Sequence, residues 1–343
     1  MVLKFQISNL RLVLAVVGVL VMAVISLRAT QPAISRPADA PRGASAKASA
    51  ASEIPGFDGG RAFNDLKKLV AFGPRPSGSK TLDEARAWMI RELKQKGSAV
   101  EEDSFTASTP AGNIPMTNLI VKIPGAKSAV VMVAGHYDTK RFDRFKFVGA
   151  NDGGSSAALL LELARVLAKR PLPYTLWLVW FDGEEAVRQQ WQGTDNDYGS
   201  RHLVERLTSE GELSRVKAMI LVDMIGDAKL DIRKDPGSTA WLTELEFSAA
   251  RRLGYSRYFL ERQSVAVGGD DYDPWLAAGV ASVDLIDFNY GPNARSNPGD
   301  PDWNTYWHTA QDTVEHCSSQ SLEIVGRVVL AMLQELGSSP RVP

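Results

Sequence analysis

Residues Thr175–Glu185 read TLWLVWFDGEE. After Thr175 the run to Phe181 is unbroken Leu, Trp, Val and Phe, with no polar residue at alternate positions. Such a run suits a strand covered on both faces, as in a parallel sheet sandwiched between helices. Asp182-Gly183 breaks the run, and the acidic pair Glu184-Glu185 falls just past the strand's carboxyl end. Working outward, strand-like runs recur at Asn118–Ile123, Ala129–Ala134, Ala218–Val222 and Ala281–Ile286. Helical patterns fill the intervals and flanks: Arg61–Ala71, Thr81–Lys96, Ser155–Lys169, Ser200–Thr208, Ala240–Arg252 and Ser321–Leu336. Thr81-Leu82-Asp83-Glu84 reads as a capping box opening the second of these, after the turn-rich Gly73–Ser79. The alternation predicts an α/β fold: a three-layer sandwich with a mostly parallel central sheet and helices on both faces.

The chain has 343 residues, 44% of them hydrophobic, enough for one large domain with a full core. Its 39 basic and 40 acidic residues give a net charge of −1, so electrostatics offers no reason to expect nucleic acid. The single cysteine, Cys317, excludes an internal disulfide and a thiolate-only zinc site. Any metal must therefore be held by carboxylates and by some of the four histidines, His136, His202, His308 and His316.

The amino-terminal segment stands apart. Leu12–Leu27 is an apolar run preceded by Lys4 and Arg11, which predicts residues 1–28 as a signal peptide or membrane anchor. Residues 29–54 are rich in Ala, Pro and Ser with no apolar period, and are expected to form a disordered linker, a possible membrane tether. Residues 55–338 are expected to be the folded domain, exported or anchored outside the cytoplasm.

Polar residues gather at predicted strand ends. His136 and Asp138 follow the strand ending at Ala134, Glu184 and Glu185 follow the one ending at Phe181, and Asp223 follows the one ending at Val222. Ligands of open α/β sheets bind beyond those ends. Asp152 sits in Gly149–Gly154 (GANDGG) just before a helix, where small residues let backbone approach an ion. His136, Asp152, Glu185, Asp223 and His308 are thus candidate zinc ligands, because zinc takes imidazole nitrogen and carboxylate oxygen. Of two adjacent glutamates, one can ligate while the other serves as general acid and base. Each residue also has an ordinary reading: Asp152 as a helix N-cap, Glu184-Glu185 as a solvated pair, His136 as a core histidine, His308 as loop packing and Trp307 as core packing. His202 and His316 lack strand-end placement and take the ordinary reading. Gly153-Gly154 does not make the dinucleotide-binding fingerprint.

The ordered set His136-x-Asp138, Asp152, Glu184-Glu185, Asp223 and His308 resembles the zinc aminopeptidase superfamily, which includes the animal-type glutaminyl-peptide cyclotransferases. GHYDTKRF, FDGEEA, the Tyr198–Leu203 segment, LVDMIG at Leu221–Gly226, Asp270-Asp271 with Pro274, and Trp307-His308-Thr309 are similar to the cyclase branch. Trp191 belongs to the same resemblance. It implies one zinc per chain held by Asp152, Glu185 and His308. It implies Glu184 as proton shuttle, Asp271 and Asp223 in an acid network, and Trp307 against the substrate. The substrates implied are peptides or proteins with N-terminal glutamine. Two departures stand out: Asp284 occupies a position where the cyclases usually carry histidine, and Asn151-Asp152-Gly153-Gly154 is closer to the peptidase pattern. The alternative is a two-zinc aminopeptidase, with His136 and Asp223 completing a second metal site. A non-catalytic peptide-binding module would be marked by a missing ligand or base, and none is missing.

Overall fold

The computed structural model describes residues 56–168, 170–188, 193–264, 267–292 and 305–342. The predicted leader (1–28), the linker (29–54) and Trp191 lie outside them. Among the described residues no helix is long and apolar enough to cross a membrane.

The strands are β1 (Glu101–Thr109), β2 (Gly112–Ile123), β3 (Val130–His136), β4 (Thr175–Phe181), β5 (Val216–Asp223), β6 (Ile232–Lys234), β7 (Phe259–Gln263) and β8 (Ser282–Ile286). The helices are α1 (Gly59–Ala71), α2 (Lys80–Gln95), α3 (Gly154–Leu167), α4 (Tyr198–Ser209), α5 (Ala240–Arg252), α6 (Asp273–Ala277) and α7 (Ser319–Leu336). Six strands form the main sheet in the order β1-β2-β4-β3-β5-β8. Strands β4, β3, β5 and β8 are parallel, while β1 and β2 make an antiparallel edge.

Side-chain alternation along a strand explains the layers. Val131, Val133, Leu176, Leu178, Ala218 and Ile220 point into the core beneath α1, α3 and α7. Their neighbours Met132, Ala134, Trp177, Val179, Met219 and Leu221 point into a second core with Leu203 of α4 and Trp275 of α6. Both faces are apolar because both are covered, which is why these strands read as continuous runs. Fully burying one such side chain contributes about 1.5–3 kcal/mol.

The short elements β6, β7 and α6 add to the predicted set, β2 begins six residues earlier than predicted, and other local readings also change. Helix α2 is capped by Ser79, whose hydroxyl accepts from Leu82 N at 3.1 Å, two residues before the predicted capping box. Strand β1 (EEDSFTAST) escaped prediction because it is an edge strand, polar and only half buried. Asp152 does not cap α3: the cap position is Gly153, at φ +76°, with no side-chain hydrogen bond.

Candidate metal centre and active site

His136 and Asp223 are the last residues of β3 and β5, and Glu184-Glu185 follow β4 by one short turn. Asp152 precedes α3, and His308 arrives from the long connection between β8 and α7. Ligand atoms of Asp152, Glu185 and His308 lie within 4.8 Å of one another, and so do those of His136, Asp152 and Asp223. Asp152 belongs to both groups. Its Oδ1 lies 3.1 Å from His136 Nε2 and its Oδ2 lies 3.3 Å from His308 Nε2. His308 Nε2 is 3.1 Å from Glu185 Oε1, and His136 Nε2 is 3.2 Å from Asp223 Oδ1.

This donor set fits a divalent cation. Buried oxygens Asp152 Oδ2 and Glu185 Oε2 lack a hydrogen bond of acceptable geometry. Their nearest charged neighbours are His308 Nε2 at 3.3 Å and Lys140 Nζ at 3.6 Å, and because a buried carboxylate oxygen short of hydrogen bonds is costly, a shared cation would satisfy both. Two carboxylates and an imidazole match the usual ligand chemistry of catalytic zinc.

Surrounding residues hold the ligands in place. Asp138 Oδ1 lies 3.4 Å from His136 Nδ1, the carboxylate–imidazole pairing that orients a ligating ring. Asp138 also accepts from the backbone N–H groups of Glu184 (3.3 Å) and Glu185 (3.4 Å). Asp312 accepts from the N–H groups of Asn151 at 2.7 Å and Asp152 at 3.1 Å, and from the Tyr290 hydroxyl at 2.9 Å. The Asn151 side chain donates to Met224 O and accepts from Gly226 N, tying the Asp152 loop to the turn after Asp223. Buried Arg75 donates to the carbonyls of Tyr137, Val148 and Gly149. At Gly153 a Cβ would stand 2.5 Å from Asp138 O and 2.9 Å from the His136 ring, so only glycine lets this loop close on the site. Asp197, Met224 and His308 have left-handed backbone, at φ 47°, 49° and 55°. Each such residue costs about 1–2 kcal/mol relative to the ordinary helical region, and such strain clusters at functional sites.

The site is electrostatically crowded. Burial, reinforced by mutual repulsion, raises the carboxyls of Glu184, Asp223, Asp270, Asp271 and Asp284 above the ordinary range. Burial favours neutral imidazole, yet neighbouring acids outweigh it. His308 rises to about 9, chiefly through Glu185, and His136 rises well above its ordinary value beside Glu184. Asp152 is held below the ordinary range, against burial, by hydrogen bonds with both histidines.

A pocket of about 180 Å³ opens onto these groups. Asp152, Glu184, Asp223, Asp270 and His308 form its polar part and Met224, Val267, Ile286, Phe288 and Trp307 its apolar part; among the described residues no Lys or Arg lines it. Trp307 stacks on His308 at 4.0 Å between ring centroids. Asp270 lines the pocket, whereas Asp271 is fully buried behind it with both carboxylate oxygens unpartnered. Asp284, also buried and unpartnered, lies deeper still in β8. A shallower depression of about 610 Å³ near the amino-terminal ends of β5 and β8 contains no acid or histidine. Of the remaining histidines, His202 stacks on Phe105 and His316 on Tyr306, away from the pocket.

Sequence reasoning assigned no role to Asp138, Asp312, Asn151 or Arg75. The signal available was the spacing of Asp138 from His136 and of Asp312 from His308. The bonds themselves depend on tertiary placement.

Residues 118–333 match Peptidase family M28. The chain is 30% identical to the glutaminyl-peptide cyclotransferase-like protein of Bos taurus over 70% of this chain, and spans 65% of that protein's length. It is 30% identical to the Bos taurus glutaminyl-peptide cyclotransferase over 79% of this chain and 80% of that one. The solved glutaminyl cyclase of an Acidobacteriales bacterium superposes with a TM-score of 0.78 at 40% identity, covering 86% of this chain and 99% of the other. With residues 118–333 matching the family and the fold shared with a solved glutaminyl cyclase, the chain belongs to peptidase family M28 and, within it, to the glutaminyl-peptide cyclotransferases.

Proposed function

We propose that this enzyme converts the N-terminal glutamine of peptides to pyroglutamate with release of ammonia. The observation that carries the reading is the convergence of Asp152, Glu185 and His308 beside Glu184, at a small acid-lined pocket. A pocket lined by carboxylates suits a peptide's α-amino group.

Asp152, Glu185 and His308 would hold zinc, which supplies Lewis-acid polarisation of the side-chain amide carbonyl. Glu184 takes a proton from the α-amino nitrogen as that nitrogen bonds to the amide carbon, and returns it to the departing ammonia. Burial raises Glu184 above the ordinary carboxylate range, which suits a group that must hold the proton between these two events. Both reacting groups belong to one residue, so the pocket's main task is orientation. Trp307, stacked on His308, covers the apolar stem of the glutamine. Asp270, at the pocket wall, and Asp223 are the acids best placed to receive the leaving nitrogen, with Asp271 supporting them from behind. The predicted leader and linker would present this domain outside the cytoplasm, cleaved or tethered.

A two-zinc aminopeptidase is a second reading, favoured by the group His136, Asp152 and Asp223. One assay separates the two. The purified domain is incubated with a Gln-initiated peptide and a matched Leu-initiated peptide, and their masses are followed. Loss of ammonia from the first is expected. Removal of the first residue from the second, with the first left intact, would overturn the cyclase reading.

A further inference from the structure

The segment Arg141–Phe147 reads RFDRFKF: three cations and one acid, interleaved with three phenylalanines. The chain as a whole has a net charge of −1, so this is a local concentration. The aromatic members fix where the segment lies. Phe142 and Phe147 meet the His308 ring edge-on, at 5.8 Å and 5.7 Å between centroids, and Phe145 stacks on Phe142 at 4.5 Å. Both ends of the segment are pinned. Before it, buried Lys140 donates to Ala186 O at 2.9 Å, and after it Arg75 donates to Val148 O at 2.6 Å. Arg141, Arg144 and Lys146 are exposed, and among the described residues none has a carboxylate within ion-pair distance. The apolar pocket wall around His308, with Val267, Phe288 and Trp307, carries no charge. Arg141, Arg144 and Lys146 do not line the pocket itself; their segment reaches it through Phe142 and Phe147 packed on His308.

From this juxtaposition of an acid-lined pocket and an exposed cationic segment held against His308, we propose that Arg141, Arg144 and Lys146 select peptides with acidic side chains just after the residue in the pocket. The pocket draws the positive amino terminus inward, while the next few side chains lie outside it, within range of the cations. Exposed charges act weakly and are screened by salt, so the preference should be modest and should vanish at high ionic strength.

The inference rests on the cyclase reading only for turnover, so it is tested by turnover and binding together. Three peptides beginning Gln-Ala, followed by Glu-Glu, Gln-Gln or Lys-Lys, are compared at low and high salt. Ammonia release gives kcat/KM, and fluorescence anisotropy gives affinity for the Glu184→Gln enzyme, which turns the peptides over slowly enough for binding to be read first. The acidic peptide should exceed the basic one by about tenfold in both measures at low salt, and by less than about twofold at high salt. The Arg141→Glu/Arg144→Glu/Lys146→Glu variant should reverse the order and leave the neutral peptide within about twofold of the parent. Should that variant fold poorly, Arg144→Glu alone should still narrow the ratio. Equal binding of acidic and basic peptides, or a preference that survives charge reversal, would overturn the proposal. Binding preference without ammonia from any peptide would instead defeat the cyclase reading and leave this one standing.

Discussion

The site has a strand-borne half and a loop-borne half, and the two are held differently. His136 and Asp223 end β3 and β5, and both strands lie in the interior of the parallel sheet. His136 is paired with Phe181 in the ladder, Asp223 with Ile286, and both side chains are buried. His308 instead comes from a connection outside regular structure, with left-handed backbone and a partly exposed ring. Its position depends on stacking with Trp307, the edges of Phe142 and Phe147, and the Asp312 strut four residues later. Strand ends therefore supply fixed points, and the loop supplies the ligand that can adjust. Asp152 joins the halves, with one oxygen toward each histidine.

The largest effect should follow from breaking that junction. Asp152→Ala should lose metal affinity by about 10³-fold or more, beyond the 10–100-fold typical of losing an outer hydrogen-bond partner. Metal analysis after dialysis checks this, and an unchanged zinc content would show that the halves do not share an ion through Asp152. Next is Glu184→Gln, on the strand-borne side. It should retain zinc and fold while turnover falls by about 10²–10⁴-fold, the range for a lost general base. Full activity in that variant would remove the proposed role.

Weakening only the loop-borne half should give a smaller loss. Asp312→Ala frees the N–H groups of Asn151 and Asp152 without touching a ligand, and should cost about 10–100-fold in metal affinity. A titration with zinc separates this from general unfolding, because saturating metal should restore most of the activity. Smallest is a pH effect at His308. Its pKa is raised in the metal-free fold to about 9, so its contribution to apo stability is complete below the unfolded value near 6.5 and is lost as pH rises through about 9. Imidazole ligates only when neutral, so zinc affinity should rise over the same window, with proton release on binding. Calorimetry in buffers of different ionisation enthalpy reads that release, and no release at neutral pH would contradict the assignment of His308 as a ligand.

The same division explains what the sequence revealed. The parallel strands were legible because LWLVWF and its counterparts must be apolar on both faces, and the residues just past them stood out by contrast. The polar edge strand β1 carries no such demand and was missed. Glu184 and Glu185 were legible as acids following a buried strand. The distinction between Asp270 at the pocket wall and Asp271 behind it is set by the turn leading into α6, which adjacent identical residues do not encode visibly. Asp312 and Arg75 act through backbone groups distant in sequence, so their spacing alone carried little information.

The most direct test is a crystal of the zinc-loaded enzyme with anomalous data collected at the zinc edge. The expected result is a peak in contact with Asp152, Glu185 and His308, next to Glu184. A well-loaded crystal with its zinc bound elsewhere, and those three side chains turned away from a common point, would contradict the metal centre on which the proposed chemistry depends.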